Sequence, residues 1–126
     1  MILVDTSVWV DHLRYQDAEL VRLLEAGRVL CHPFVVGELA CGHLRGRRAV
    51  LALLRGLPSA PRAHDHEVLW WIEAHALMGR GLGYIDMHLL VSIRLEPEAA
   101  LWTHDRRLGE VAAELGLAYG PRASRD

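Results

Sequence analysis

The chain has 126 residues, enough for one hydrophobic core and too few for two independent ones. Apolar residues make up 52% of it, which excludes a disordered protein, and a formal net charge of −2 excludes one that holds polyanions by bulk positive charge. All 14 basic residues are arginine, so any chemistry that requires a lysine is excluded as well.

Taken in chain order, Ile2-Leu3-Val4 is a short apolar run, two of its residues β-branched, of the kind found in a strand buried on both faces. It stops at Asp5. Ser7 is placed to cap a helix carrying Val8, Trp9, Val10 and Leu13. From Asp17 to Gly27 the spacing of Leu20, Leu23 and Leu24 is helical, and Gly27 suits the C-cap. Val29-Leu30-Cys31 reads as a second strand. Pro33 suits the first turn of a helix running from Phe34 to Leu44, and a further helix covers Arg47 to Leu54.

Gly56-Leu57-Pro58-Ser59-Ala60-Pro61 is a loop. Asp65 is placed to cap the next helix, through Val68, Leu69, Ile72, Ala76 and Leu77, which breaks at Gly79-Arg80-Gly81-Leu82-Gly83. Tyr84 to Leu95 is apolar nearly all round, the mark of a helix buried on several sides. Ala99 to Thr103 reads as a strand and Arg106 to Leu115 as a helix closed by Gly116. Leu117-Ala118-Tyr119 suits an edge strand, and residues 120–126 suit a loose tail. Strands alternating with helices predict one α/β domain over residues 1–126, a short parallel sheet with helices on both faces.

No apolar run approaches the length of a membrane span, and nothing charged precedes the first strand as in a signal peptide. Cys31 and Cys41 read as two small buried thiols in a reduced compartment. These features place the chain in the cytoplasm.

Most acids, among them Glu19, Glu25, Glu67, Glu73, Glu110 and Glu114, fall on polar faces or helix starts. Four stand out. Asp5 closes the first strand, at the sheet edge where open α/β folds bind ligands. Asp86 shares a helix face with Leu89, Leu90 and Ile93, where an ionised carboxylate costs several kcal/mol unless a cation or donors meet it. Glu38 lies between Phe34 and Val35 on one turn and Cys41 and Gly42 on the next. Asp105 follows a strand and precedes a helix, repeating the opening arrangement. Two acids at strand ends and two facing inward from helix starts can converge on one crevice. Held together they repel and require a cation, and hard oxygen ligands of this kind suit Mg²⁺ or Mn²⁺. Such a site hydrolyses phosphodiesters by activating a bound water. The competing reading of each acid singly is a helix cap or half of an arginine ion pair.

Met1-Ile2-Leu3-Val4-Asp5-Thr6-Ser7-Val8-Trp9-Val10-Asp11-His12-Leu13 resembles the opening of PIN-domain ribonucleases, specifically the toxins of VapBC toxin–antitoxin pairs. Glu38 in Val35-Val36-Gly37-Glu38-Leu39 resembles the second acid of that family, Asp86 in Gly83-Tyr84-Ile85-Asp86 its third, and Thr103-His104-Asp105 its Thr-x-Asp element. The resemblance covers nearly the whole chain. It implies a divalent-metal endoribonuclease that is silenced by a VapB-type antitoxin and is usually a homodimer. Asp5, Glu38, Asp86 and Asp105 would hold the metal and carry catalysis, with Thr6, Ser7 and Thr103 orienting carboxylates or water. The chain departs from the family in the bulky Met87-His88-Leu89-Leu90 after the third acid, and in Arg106-Arg107-Leu108 where a Phe is common.

Arg45, Arg47 and Arg48, with Arg106 and Arg107, are candidates to hold RNA phosphates, or equally an acidic antitoxin segment, and otherwise form a solvated helix end. His104, between Thr103 and Asp105, is a candidate substrate contact. His64-Asp65-His66 and the set Cys31, His32, Cys41 and His43 match no familiar zinc spacing. Trp9 and the pair Trp70-Trp71 read as core, and any leftover apolar patch would suit a dimer or antitoxin groove. An aspartyl-phosphate enzyme also places an Asp after its first strand, but normally needs the lysine this chain lacks. A PIN-like module that binds RNA or protein without cutting is the remaining alternative.

Overall fold

The computed structural model describes residues 1–120. Three strands, β1 (Ile2–Val4), β2 (Val29–Leu30) and β3 (Ala100–Trp102), form a parallel sheet in the order β2-β1-β3. Ile2 lies opposite both Val29 and Ala100, and Leu3 opposite both Leu30 and Leu101. Successive strand residues point to opposite faces, yet Ile2, Leu3 and Val4 are all at most 5% exposed. Both faces of β1 are therefore covered, as expected for a parallel sheet wrapped by helices.

Parallel strands need crossovers. Between β1 and β2 these are α1 (Thr6–Tyr15) and α2 (Ala18–Glu25). Between β2 and β3 the chain passes through α3 (Pro33–Ala40), α4 (Arg47–Gly56), α5 (Asp65–Ala74) and α6 (Tyr84–Arg94), and α7 (Arg106–Glu114) follows β3. The chain leaves central β1 to opposite sides to build β2 and β3. That reversal opens a crevice at the C-terminal end of β1, and Asp5 stands there. Helix α6 is the central helix: every residue from Met87 to Ile93 is buried, which explains its apolar character all round.

Several boundaries differ from those predicted. Asp5, not Ser7, holds the N-cap position of α1, because its extended backbone is the last non-helical one. Helix α3 stops at Ala40 rather than Leu44, and the Arg47 guanidinium donates to the freed carbonyls of Ala40 (2.7 Å) and Gly42 (3.2 Å). Asp65 is the first residue of α5 rather than its cap. The cap is His64, whose backbone N–H donates to Glu67 Oε1 at 2.8 Å. Helix α5 ends before Ala76, which adopts a φ of +52°. Trp9 is core, but Trp70 is 63% exposed and Trp71 only half-buried. Cys31 is buried and Cys41 is exposed. The expected edge strand is reduced to a bridge, Leu101 with Ala118, held by Leu101 N–H to Leu117 O and Tyr119 N–H to Leu101 O. Beyond Gly120 the predicted tail lies outside the described residues. Among the described residues, no helix is long and apolar enough to cross a membrane.

Candidate active site

Asp5 is tied to the sheet by its N–H, which donates to Trp102 O at 2.9 Å, and its carboxylate is buried. One oxygen, Oδ2, accepts from the hydroxyls of Ser7 (2.9 Å) and Thr103 (2.7 Å). The same hydroxyl oxygens accept from backbone: Ser7 Oγ takes the His104 N–H at 2.9 Å and Thr103 Oγ1 takes the Asp105 N–H at 3.0 Å. Each hydroxyl has one proton, so both protons are committed to Asp5. The two hydroxyls thus lock the end of β1 to the turn after β3, and Asp105 is positioned through Thr103. Ser7, predicted as a cap, serves this lock instead.

The other acids arrive from helices. Glu38 lies in the second half of α3, not at a helix start, and is exposed rather than inward-facing. Its Oε1 accepts from the hydroxyl of Thr6, the neighbour of Asp5, at 2.6 Å. Asp86, half-buried in the first turn of α6, accepts the Gly83 N–H on Oδ2 at 3.2 Å. Asp105 is the exposed N-cap of α7 and takes the Leu108 N–H on Oδ1 at 3.0 Å. Each of the four carboxylates has one oxygen anchored by a protein donor. Among the described residues, the second oxygen of each has no hydrogen-bond partner in the protein.

Burial pushes the Asp86 carboxyl above the usual carboxylate range, and the negative charges of Asp5, Asp105 and Glu38 push it further the same way, against the Gly83 N–H. The charges of the other three acids therefore all reach Asp86. Among the described residues the ion pairs are Arg22–Glu19, Arg80–Glu114, Arg106–Glu110, His88–Asp65 and His104–Asp11, and none includes these four. The arginine-pair reading of each acid is not what the fold adopts. No set of three or more His, Cys, Asp or Glu side chains among the described residues is gathered tightly enough to ligate an ion directly. The donor set nevertheless fits a hard divalent cation, which is held through one or two carboxylates and keeps several waters.

The remaining candidates divide. Arg45 lines a groove of about 510 Å³ with Thr6, Val10, Leu13, Arg14 and Glu38. Arg47 is spent on the end of α3, and Arg48 is exposed on α4. Arg106 donates to Glu110 at 3.1 Å on its own helix. The ring of His104 stands at the rim with Nδ1 2.5 Å from Asp11 Oδ2. Asp11 was not singled out in the sequence, and its only signal was a place on the polar side of α1 one turn and a half after Asp5.

A second polar cluster uses the same two helices. His32, the N-cap of α3, accepts the Phe34 N–H on Nδ1 at 3.0 Å and places Nε2 3.1 Å from Ser92 Oγ of α6. The Nδ1 acceptor fixes the proton on Nε2, which donates to Ser92. His88 Nε2 lies 3.1 Å from Asp65 Oδ1, which also takes the Tyr84 hydroxyl at 2.8 Å. Both histidines are 1% exposed. Desolvation, with help from the nearby positive charges of His88 and Arg62, lowers the His32 pKa from 6.5 to about 4.

The model of the PIN domain family matches residues 2–114. Ribonuclease VapC32 of Mycobacterium tuberculosis, from strain CDC 1551 / Oshkosh and from strain ATCC 25618 / H37Rv, is 48% identical over 124 residues. Those residues span 98% of this chain and 100% of that protein. With that match over the length of the fold, and with acids at the end of β1, on α3, on α6 and before α7, the chain belongs to the PIN domain family.

Proposed function

We propose that this protein is a divalent-metal-dependent endoribonuclease, the toxin of a type II toxin–antitoxin pair acting in the cytoplasm. The observation that supports the reading is that the charges of Asp5, Glu38 and Asp105 all bear on Asp86, and that among the described residues each of the four carboxylates keeps a free oxygen and none forms an ion pair. Asp5, Glu38, Asp86 and Asp105 hold Mg²⁺ or Mn²⁺, while Thr6, Ser7 and Thr103 fix the orientation of Glu38 and Asp5. A divalent ion bound there neutralises charge on the scissile phosphate and lowers the pKa of water. Burial and the three neighbouring negative charges raise the Asp86 carboxyl above the usual carboxylate range, and a bound cation would relieve that repulsion. His104, Arg45 and Arg48, with Arg106 once it leaves Glu110, are the groups assigned to RNA phosphates.

The groove between Glu38 and Val10, Leu13, Leu39 and Leu44, with Arg14 and Arg45 beside it, suits an antitoxin segment with apolar and acidic residues. The exposed Leu69, Trp70 and Met78 suit a homodimer contact. The test is RNA cleavage by the purified, antitoxin-free protein with and without EDTA. Cleavage lost on chelation and restored by Mg²⁺ or Mn²⁺ supports the reading. Binding without cleavage under every metal condition overturns it in favour of a non-cutting module.

A further inference from the structure

Arg107 stands in the first turn of α7, two residues after Asp105. Its side chain rests on the loop that leads into α6: a Cβ at Gly81 would lie 2.5 Å from Arg107 Nη1 and 2.7 Å from its Cδ. Gly81 also has a φ of +84°, a conformation that favours glycine. The backbone conformation requires glycine, and a Cβ there would push the guanidinium off its seat. The loop under the guanidinium is itself held, because Arg80 forms a two-pronged pair with Glu114 at 3.0 and 2.8 Å. Arg107 is thus set between the starts of α6 and α7, the helices that deliver Asp86 and Asp105.

The arginines next to it in the chain and on the loop are engaged: Arg106 pairs with Glu110 and Arg80 with Glu114. Arg107 is exposed and, among the described residues, has no hydrogen-bond or ion-pair partner. A guanidinium seated on fixed backbone loses little freedom on binding, and its planar fork matches a phosphate. Phosphate contacts supply most of the affinity for a nucleic acid, and a crevice of four acids needs them at its rim.

We propose that Arg107, seated on Gly81, is a binding site for an RNA phosphate beside the acid crevice. The choice of RNA rests on the nuclease reading. The test measures binding of a labelled mixed-sequence single-stranded RNA across a salt series, in a D5N background that separates binding from cleavage. R107A weakens binding severalfold and lowers the dependence of log affinity on log salt by about 0.7, the value for one single-strand phosphate contact. R22A, which removes an equal charge on α2, leaves both unchanged. G81A keeps the charge but unseats it and weakens binding like R107A, and adding G81A to R107A produces no further loss. Melting curves establish that the variants are folded. R107A binding as R22A does, G81A binding as its parent does, or a parent that binds no RNA overturns the proposal. Loss of the salt term in R107A, with no metal-dependent cleavage by the native chain, supports the phosphate site and refutes the nuclease reading.

Discussion

Helices α3 and α6 each contribute to two polar clusters, and the clusters are built on opposite principles. His32 and Ser92 meet each other, with His32 also capping its own helix, and His88 meets Asp65. His32 spends both ring nitrogens on protein partners there, and of the cluster only His88 Nδ1 is buried without a partner among the described residues. Glu38 and Asp86, on the same two helices, meet one donor each and keep an oxygen free beside two more acids. A buried polar group that serves the fold is partnered. Groups left with spare valence and uncompensated charge are kept for something the fold does not supply.

The largest expected effect comes from breaking the open cluster. D5N keeps the shape and the hydroxyl lock but removes the central charge, and RNA cleavage should fall by more than about 100-fold, as on loss of a key electrostatic group, with the fold retained by circular dichroism. Thr103→Val leaves every acid in place but releases Asp5 and Asp105, so metal affinity, read by Mn²⁺ titration, should fall by about 10- to 100-fold. The closed cluster should respond the other way. His32→Ala removes a cap and strands Ser92, costing about 2–3 kcal/mol in denaturant unfolding, with cleavage per folded molecule unchanged.

The closed cluster also carries a pH dependence. An unfolded histidine takes its proton near 6.5, whereas buried His32 does so only near 4. Between those values the unfolded chain carries more protons, so stability falls as pH falls through the window, by at most about 3 kcal/mol from this residue. His32→Asn keeps a capping oxygen and should abolish that component in unfolding curves taken across the window.

Much of this was legible from residue order. The unbroken Ile2-Leu3-Val4 run, the all-round apolar α6 and the acids at strand ends follow from burial and from the geometry of parallel sheets. What was not legible depended on partners distant in the chain. Ser7 looks like a cap until the His104 N–H, far along the sequence, claims its hydroxyl oxygen. Asp65 likewise looks like a cap until Tyr84 and His88 take its carboxylate. Trp70 and Trp71 are indistinguishable by type, and only the packing of α5 on α6 turns one outward. Arg106 and Arg107 are alike by type until one pairs with Glu110 and the other lies over Gly81.

The most direct measurement is thermal unfolding of the native chain and D86N, with and without Mn²⁺. Removing one of four repelling charges should raise the Tm of the metal-free protein. Mn²⁺ at 100 times its Kd should stabilise the native chain by about 2.7 kcal/mol and D86N far less. A metal-free D86N that melts below the native chain, with an Mn²⁺ shift equal in both, would contradict the shared-ion account.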